Sequence, residues 1–330
     1  DRRQRQMCIR DRFDVSQPAS VGVTSIIQNI GKVTNSGVEI ELDYNAFKNK
    51  DWSVSVGANA TFVKNKIKNL PATMKENGYI SGSKKWLEGK SIYEFWLRQW
   101  HGVDPQTGDG LYVADVSKYN QGNIGTGDGN ITQSQFDEYK KTVVTIDGKE
   151  LTNSYTYAKY DFSGSSIPDV YGGFNVRVSY KNFDLAAVFS YQLGGQILDT
   201  NYATMMSMTE FGYAQSPDLL KAWKQAGDIT EVPRIDNSAA HTTNIGQSYS
   251  TRWLTSSDYL NLRSVTIGYQ FPKAWLSKVM LKSARLNLTA ENLFMLKARQ
   301  GLNPMANYSG VTYNEYMPSR NITLGLNVSF

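Results

Sequence analysis

Arg320-Asn321-Ile322-Thr323-Leu324-Gly325-Leu326-Asn327-Val328-Ser329-Phe330 alternates without a break. Ile322, Leu324, Leu326, Val328 and Phe330 fall on one side of an extended strand. Asn321, Thr323, Gly325, Asn327 and Ser329 fall on the other. A membrane-crossing β-strand needs about 9–11 residues, apolar towards lipid and polar towards a lumen. This segment has that length and that chemistry, and free strand ends of soluble sheets more often fray.

The same alternation recurs upstream in pairs. Val38, Ile40, Leu42, Tyr44 and Ala46 alternate with Glu39, Glu41, Asp43 and Asn45. After Lys48-Asn49-Lys50, Trp52, Val54, Val56, Ala58, Ala60 and Phe62 alternate with small polar residues. In lipid the carboxylates must face the lumen, because a charge on the lipid side costs several kcal/mol. A second hairpin spans 169–180 and 183–193, turning at Lys181-Asn182. Tyr180 and Phe183 flank that turn, where interfacial aromatics sit. A third spans 258–271 and 283–294, and 319–330 is the final strand. Segments 36–47 and 51–64 complete the set of seven, expected to form one consecutive antiparallel sheet.

The other connections, about 65–168, 193–257 and 296–318, are long. Compact soluble domains seldom use structureless loops beyond about 12–15 residues. Outer-membrane barrels do so on one side, with short periplasmic turns and long extracellular loops. Short and long connections alternate here. Ser91–Trp100 has mixed faces, so 92–101 is read as a strand of an extracellular subdomain covering 65–168 rather than as an eighth span.

The fold class expected is therefore all-β, the strands of a transmembrane antiparallel β-barrel with long extracellular loops. Seven strands are too few to close a barrel, so an open, curved sheet is expected, with unpaired edges.

Composition permits this. The chain has 330 residues, of which 40% are hydrophobic and 12% aromatic, with a mean hydropathy of −0.44. No run of 18 apolar residues exists, which excludes a helical span. Mean hydropathy does not exclude a barrel, because half of each strand faces water. The net charge of +5 is scattered rather than clustered, so nucleic-acid binding is not expected. Cys8 is the one cysteine and cannot form an internal disulfide. Residues 1–12 are arginine-dense and have no apolar stretch, so they are not a signal peptide. Met7-Cys8-Ile9-Arg10-Asp11-Arg12 resembles translated adapter read-through. Residues 1–12 are set aside as non-native, and 13–330 is read as the C-terminal part of a longer barrel protein.

Several segments in this order resemble the SusC/RagA family of TonB-dependent outer-membrane transporters, over about residues 20–330. They are Gly31-Lys32-Val33-Thr34-Asn35-Ser36-Gly37-Val38-Glu39-Ile40, Ile167-Pro168-Asp169-Val170-Tyr171-Gly172-Gly173-Phe174, Ser257–Tyr269, Ala290-Glu291-Asn292-Leu293-Phe294 and the terminal Phe330. The resemblance implies a parent barrel of about 22 strands with a plugged lumen. It implies residence in the bacterial outer membrane and import of oligosaccharides or peptides. It implies partners: TonB, reached through a plug and a TonB-contacting segment not found in this chain, and a SusD-like surface lipoprotein. It also implies that Phe330 is read by the outer-membrane assembly machinery.

Catalytic chemistry is not expected. His101 and His241, the two histidines, are far apart and read as hydrated loop residues. The pairs Glu39/Glu41 and Asp137/Glu138 are weak grounds for glycosidase chemistry. No cofactor is expected. Asp128-Gly129-Asn130-Ile131 is similar to the centre of a calcium loop. Taking Asp128 as position 5, however, puts Ile124, Thr126 and Gln135 where ligands belong, so Asp128 is a weak metal candidate. Trp86, Tyr93, Trp96 and Trp100 are candidate contacts for substrate or partner, since aromatic faces suit recognition surfaces. The plainer role is packing within the outer subdomain. Two other functions fit parts of the pattern: a soluble carbohydrate-binding all-β module, or a porin or TonB-dependent receptor of another type.

Overall fold

The computed structural model describes residues 7–9, 12–16, 20, 22, 25–29, 31–207, 212, 214–236, 238, 241 and 249–330. Seven long strands dominate: β1 (Lys32–Lys48), β2 (Trp52–Asn69), β3 (Val170–Tyr180), β4 (Phe183–Leu193), β5 (Tyr259–Gln270), β6 (Ser283–Glu291) and β7 (Asn321–Ser329). They lie in one sheet in sequence order, each antiparallel to the next. Two short strands are added, Met7–Ile9 beside the start of β1 and Met295–Lys297 beside the start of β5. Among the described residues β7 pairs only with β6, and β1 beyond Asn35 pairs only with β2. The sheet is open.

The register aligns chemistry across all seven strands. Tyr44, Val56, Val176, Ala187, Val265, Ala290 and Ile322 form one continuous cross-strand row. The adjacent row is Asn45, Ser55, Arg177, Ala186, Thr266, Thr289 and Thr323. A slip of one residue in any strand would reverse its faces, so the apolar pattern itself fixes the pairing. Two bulges adjust it within the apolar band, and a third, at Lys68, lies beyond that band. One lies between Asn45 and Phe47 and puts Phe47, rather than Ala46, opposite Val54. The other, at Arg263, keeps Leu262 and Leu260 on the apolar side after Val265.

Among the described residues, most of the apolar face is uncovered. Leu42 is 62% exposed, Ile322 72% and Leu324 69%. Near the short turns this face carries an aromatic row in which Trp52 meets Tyr180 at 4.3 Å and Phe183 meets Tyr269 at 4.4 Å between ring centroids. A continuous apolar sheet face of this size has no place in water.

The polar face is cross-linked instead. Arg285 reaches over Gly268 to Asp184 at 2.7 Å, from β6 to β4, and also donates to Asn287. A Cβ on Gly268 would collide with both ionic partners, so the pair requires glycine there. Gly57 makes the same room between Asp43 and Asn175.

Buried cores lie in the long connections. The largest cluster combines Phe95, Leu97, Leu198, Leu219, Trp253 and Val311, drawn from all three of them. A second holds Ala114, Tyr119, Ile131, Phe136 and Tyr139. A third joins the far ends of β1 and β2, at Val33, Ile67 and Leu70, to Trp86 and Ile92. There Asn65 Oδ1 accepts from Ser91 Oγ and Ile92 N, which ties the first connection to the polar side of β2.

Candidate functional site

The region 65–168 contains two four-stranded sheets. One runs Tyr160–Ser165, Glu94–Arg98, Lys84–Trp86, Tyr79–Ser81. The other runs Val143–Ile146, Lys149–Thr152, Gly110–Val113, Trp100–Val103. The segment 92–101, expected as one strand, is thus divided between two sheets, with Gln99 at the break. Trp100 stands in the second sheet.

Alternation sorts the first sheet cleanly. Phe95 and Leu97 point into the largest core and are fully buried. Glu94, Trp96 and Arg98 stand on the other face, beside Lys85, Tyr160 and Phe162. Trp96 lies parallel to Tyr160 at 6.1 Å and edge-on to Phe162 at 4.9 Å. The ammonium of Lys85 lies 4.1 Å from the Trp96 ring, and that of Lys90 4.7 Å from Phe162. Such cation–π pairs favour rings whose faces are partly open to charge.

The rings continue as a ladder. The Arg98 guanidinium donates to the Tyr155 carbonyl at 2.8 Å and to the Tyr160 hydroxyl, and stacks 3.2 Å above the Tyr155 ring. Tyr155 meets Tyr112, and Tyr112 meets Trp100 at 5.1 Å. Arg252 bridges Trp100 and Trp253, and Trp253 packs on Tyr202 beneath Arg299. Burial dominates the acidities. It lowers Arg98, lowers Arg252 to about 10, and raises Tyr155 to about 12. These cations are structural rungs, whereas Lys85 and Lys90 are peripheral.

The four aromatics nominated from sequence therefore do not form one surface. Trp86 is part of the core at the ends of β1 and β2, and its indole donates to the Ile92 carbonyl at 3.2 Å. Tyr93 is edge-on to Tyr308 at 5.1 Å. Trp100 is held between Tyr112 and Arg252. Trp96 stands on the sheet face opposite the core, half-buried like the other three. Tyr160, Phe162 and Lys85 join it there; they escaped notice because no sequence spacing links 85, 96 and 160.

Asp128 is exposed, and among the described residues no group of three potential metal-binding side chains occurs. Gln135, at the position where a calcium loop needs glutamate, accepts from Thr132 N while Thr132 accepts from Gln135 N. That capping box starts the helix Gln133–Thr142. His101 is exposed. His241 is a correction to the hydrated-loop expectation: it is 7% exposed, contacts the Arg234 carbonyl at 2.8 Å and lies 3.8 Å from Asp109, which is paired with Arg234. A long-range ion pair buries it, and nothing in the local sequence signals that pair.

No protein-family model matches the chain. Curated relatives do. TonB-dependent receptor P3 of Formosa agariphila is 28% identical over 331 residues, which covers 95% of this chain and 30% of that protein. TonB-dependent receptor SusC of Bacteroides thetaiotaomicron is 24% identical, covering 92% of this chain and 27% of its own length. Among solved structures, the RagAB peptide importer in its closed-closed state aligns over 97% of this chain and 32% of that one, with TM-score 0.74 and 25% identity. This chain is similar to the TonB-dependent receptors of the SusC and RagAB type. It spans about a third of the length of the relatives it matches. Within that frame the open sheet corresponds to a receptor's barrel strands. These relatives are named as receptors and importers, not enzymes.

Proposed function

We propose that this chain supplies barrel wall and outer loops to a TonB-dependent importer of oligosaccharides or peptides in the bacterial outer membrane, working with a SusD-like surface lipoprotein. One observation carries the reading: seven strands align their apolar residues on a single, largely uncovered face while, among the described residues, the buried core clusters lie in the long connections and at the far ends of β1 and β2. That division suits lipid on one side of the sheet and a polar lumen on the other. It argues against a soluble carbohydrate-binding module, which would bury such a face.

In this reading 65–168 is part of an extracellular body built with the other two long connections. Trp96, backed by Tyr160 and Phe162, is the substrate contact, offering a ring for sugar or peptide surfaces. Trp86, Tyr93 and Trp100 shape the body that presents it. Phe330, 80% exposed beyond β7, is the assembly signal. Force from TonB acts through a plug outside these 330 residues.

The full-length receptor should require detergent for solubility, run as a heat-modifiable barrel and co-purify with a surface lipoprotein. Trp96→Ala should lower uptake of the receptor's substrate by about 2- to 13-fold, the cost of one stacking contact of roughly 0.5–1.5 kcal/mol. Assembly should remain normal. A detergent-free, monomeric full-length protein would sink the proposal.

A further inference from the structure

The outward column of β2 changes chemistry abruptly. Val54, Val56, Ala58, Ala60 and Phe62 occupy its apolar side, the next positions on that side are Lys64 and Lys66, and Lys68 follows as the extra residue of a bulge between the Val33–Ile67 and Lys32–Asn69 pairs. The opposite side over the same stretch is Asn65 and the fully buried Ile67. All three lysines are exposed, and none makes an ion pair among the described residues. Their neighbours across the hairpin are Ser36 and Thr34, opposite Lys64 and Lys66, with exposed Lys32 near the end of the strand. No carboxylate shares that side of the hairpin from Thr34 to Ser36.

Lys64 and Lys66, on one side of the strand, are about 6.6–6.8 Å apart, and Lys64 is the same distance beyond Phe62. The column therefore begins within one residue pair of the end of the apolar band. It lies at the end of the sheet remote from the short turns, on the face that the proposed function gives to lipid. Solvated lysines elsewhere on the molecule, such as Lys140, Lys141 and Lys149, have no such apolar continuation. A ligand that fits both halves has alkyl chains beside Val54–Phe62 and anionic groups directly beyond them. We infer that Lys64, Lys66 and Lys68 bind the phosphates of a phosphorylated lipid in the outer leaflet, whose acyl chains lie along the apolar column of β2. Multidentate attraction to phosphate oxygens needs several ammonium groups close together, which Lys64 and Lys66 on one side of the strand and Lys68 at the adjoining bulge provide.

The inference rests on the membrane placement proposed above, and the test separates the two. Full-length receptor is purified in detergent, checked for heat-modifiable migration, and titrated with vesicles containing diphosphoryl lipid A. Bound lipid is counted by native mass spectrometry. The triple variant Lys64→Gln/Lys66→Gln/Lys68→Gln should retain at least about tenfold less lipid A. The triple arginine variant should retain the wild-type amount. Lys140→Gln/Lys141→Gln/Lys149→Gln should have no effect. Wild type should bind dephosphorylated lipid A as poorly as the glutamine triple binds the diphosphoryl form, and millimolar inorganic phosphate should not displace bound lipid. Equal retention by wild type and the glutamine triple, in a protein that still migrates as a barrel, would overturn the inference. Displacement by inorganic phosphate would make the row a free-anion site, which also overturns it. So would loss of the surface lipoprotein with lipid retention intact, since the lysines would then serve an acidic protein partner. Failure to migrate as a barrel in wild type would instead overturn the membrane placement.

Discussion

At the scale of single residues, which side of β7 a side chain occupies decides its tolerance. Leu324 pairs with Leu288 in an apolar row, whereas Asn327 pairs with Arg285 in the polar one. An arginine near mid-bilayer costs roughly 2–4 kcal/mol on the lipid side. Leu324→Arg should therefore reduce the folded, heat-modifiable receptor in outer-membrane fractions, and Asn327→Arg should reduce it less. Equal yields would show that the faces are misassigned. Lys84 offers a second test at this scale. Its ammonium donates to the Tyr93 carbonyl at 2.9 Å and to Ser166 at 3.3 Å, and it lies 3.3 Å from the Phe95 ring. Desolvation nonetheless dominates and pushes its pKa from 10.5 down to about 7, with Glu94 opposing. The unfolded chain thus holds a proton that the folded chain releases between about pH 7 and 10.5. Stability should rise with pH across that window by up to about 1.4 kcal/mol per pH unit, and stay flat below it. In denaturant titrations at pH 7.5 and 9.5, Lys84→Met should remove that rise. An unchanged pH slope in the variant would place the effect elsewhere.

At the scale of elements, the seven long strands were legible because a period of two runs along most of each, broken in β5 at Arg263 and weakened in β4 by Ala186 and Val188 on the polar side. Their ends were less so. The sequence pattern stops β1 near residue 47 and starts it at 36, whereas the strand runs from Lys32 to Lys48, since backbone pairing continues where side-chain alternation fades. Bulges were invisible: Phe47 replaces Ala46 on the apolar side only because one extra residue enters the ladder. The small sheets around Trp96 and Trp100 were seen only as one mixed segment. Their partners at 143–152 and 160–165 lie far along the chain, and no local pattern announces such pairings. The same holds for the core that unites the three long connections. Leu198 is fully buried there, beside Phe95, Trp253 and Val311. Leu198→Ala should cost about 2–5 kcal/mol of local stability. Limited proteolysis should then cut faster in 65–168 and 296–318 as well as near residue 198. Cleavage confined to 193–257 would mean that the connections fold independently.

At the scale of the whole molecule, the central claim is that one face of a seven-strand sheet meets lipid and the other meets water. The large exposed apolar face and the aromatic row of Trp52, Tyr180, Phe183 and Tyr269 both depend on it. So do the cross-strand polar links such as Asp184 with Arg285. The open edges of β1 and β7 belong to the same picture, since they can pair with further strands of a larger barrel. The most direct test labels single cysteines at successive positions from 321 to 329, with every other cysteine replaced by serine, in full-length receptor reconstituted in lipid vesicles. Spin labels at Ile322, Leu324, Leu326 and Val328 should collide with oxygen dissolved in the membrane. Labels at Thr323, Gly325 and Asn327 should collide with a water-soluble nickel reagent, giving a strict period of two. Uniform accessibility to the aqueous reagent along β7 would contradict the account.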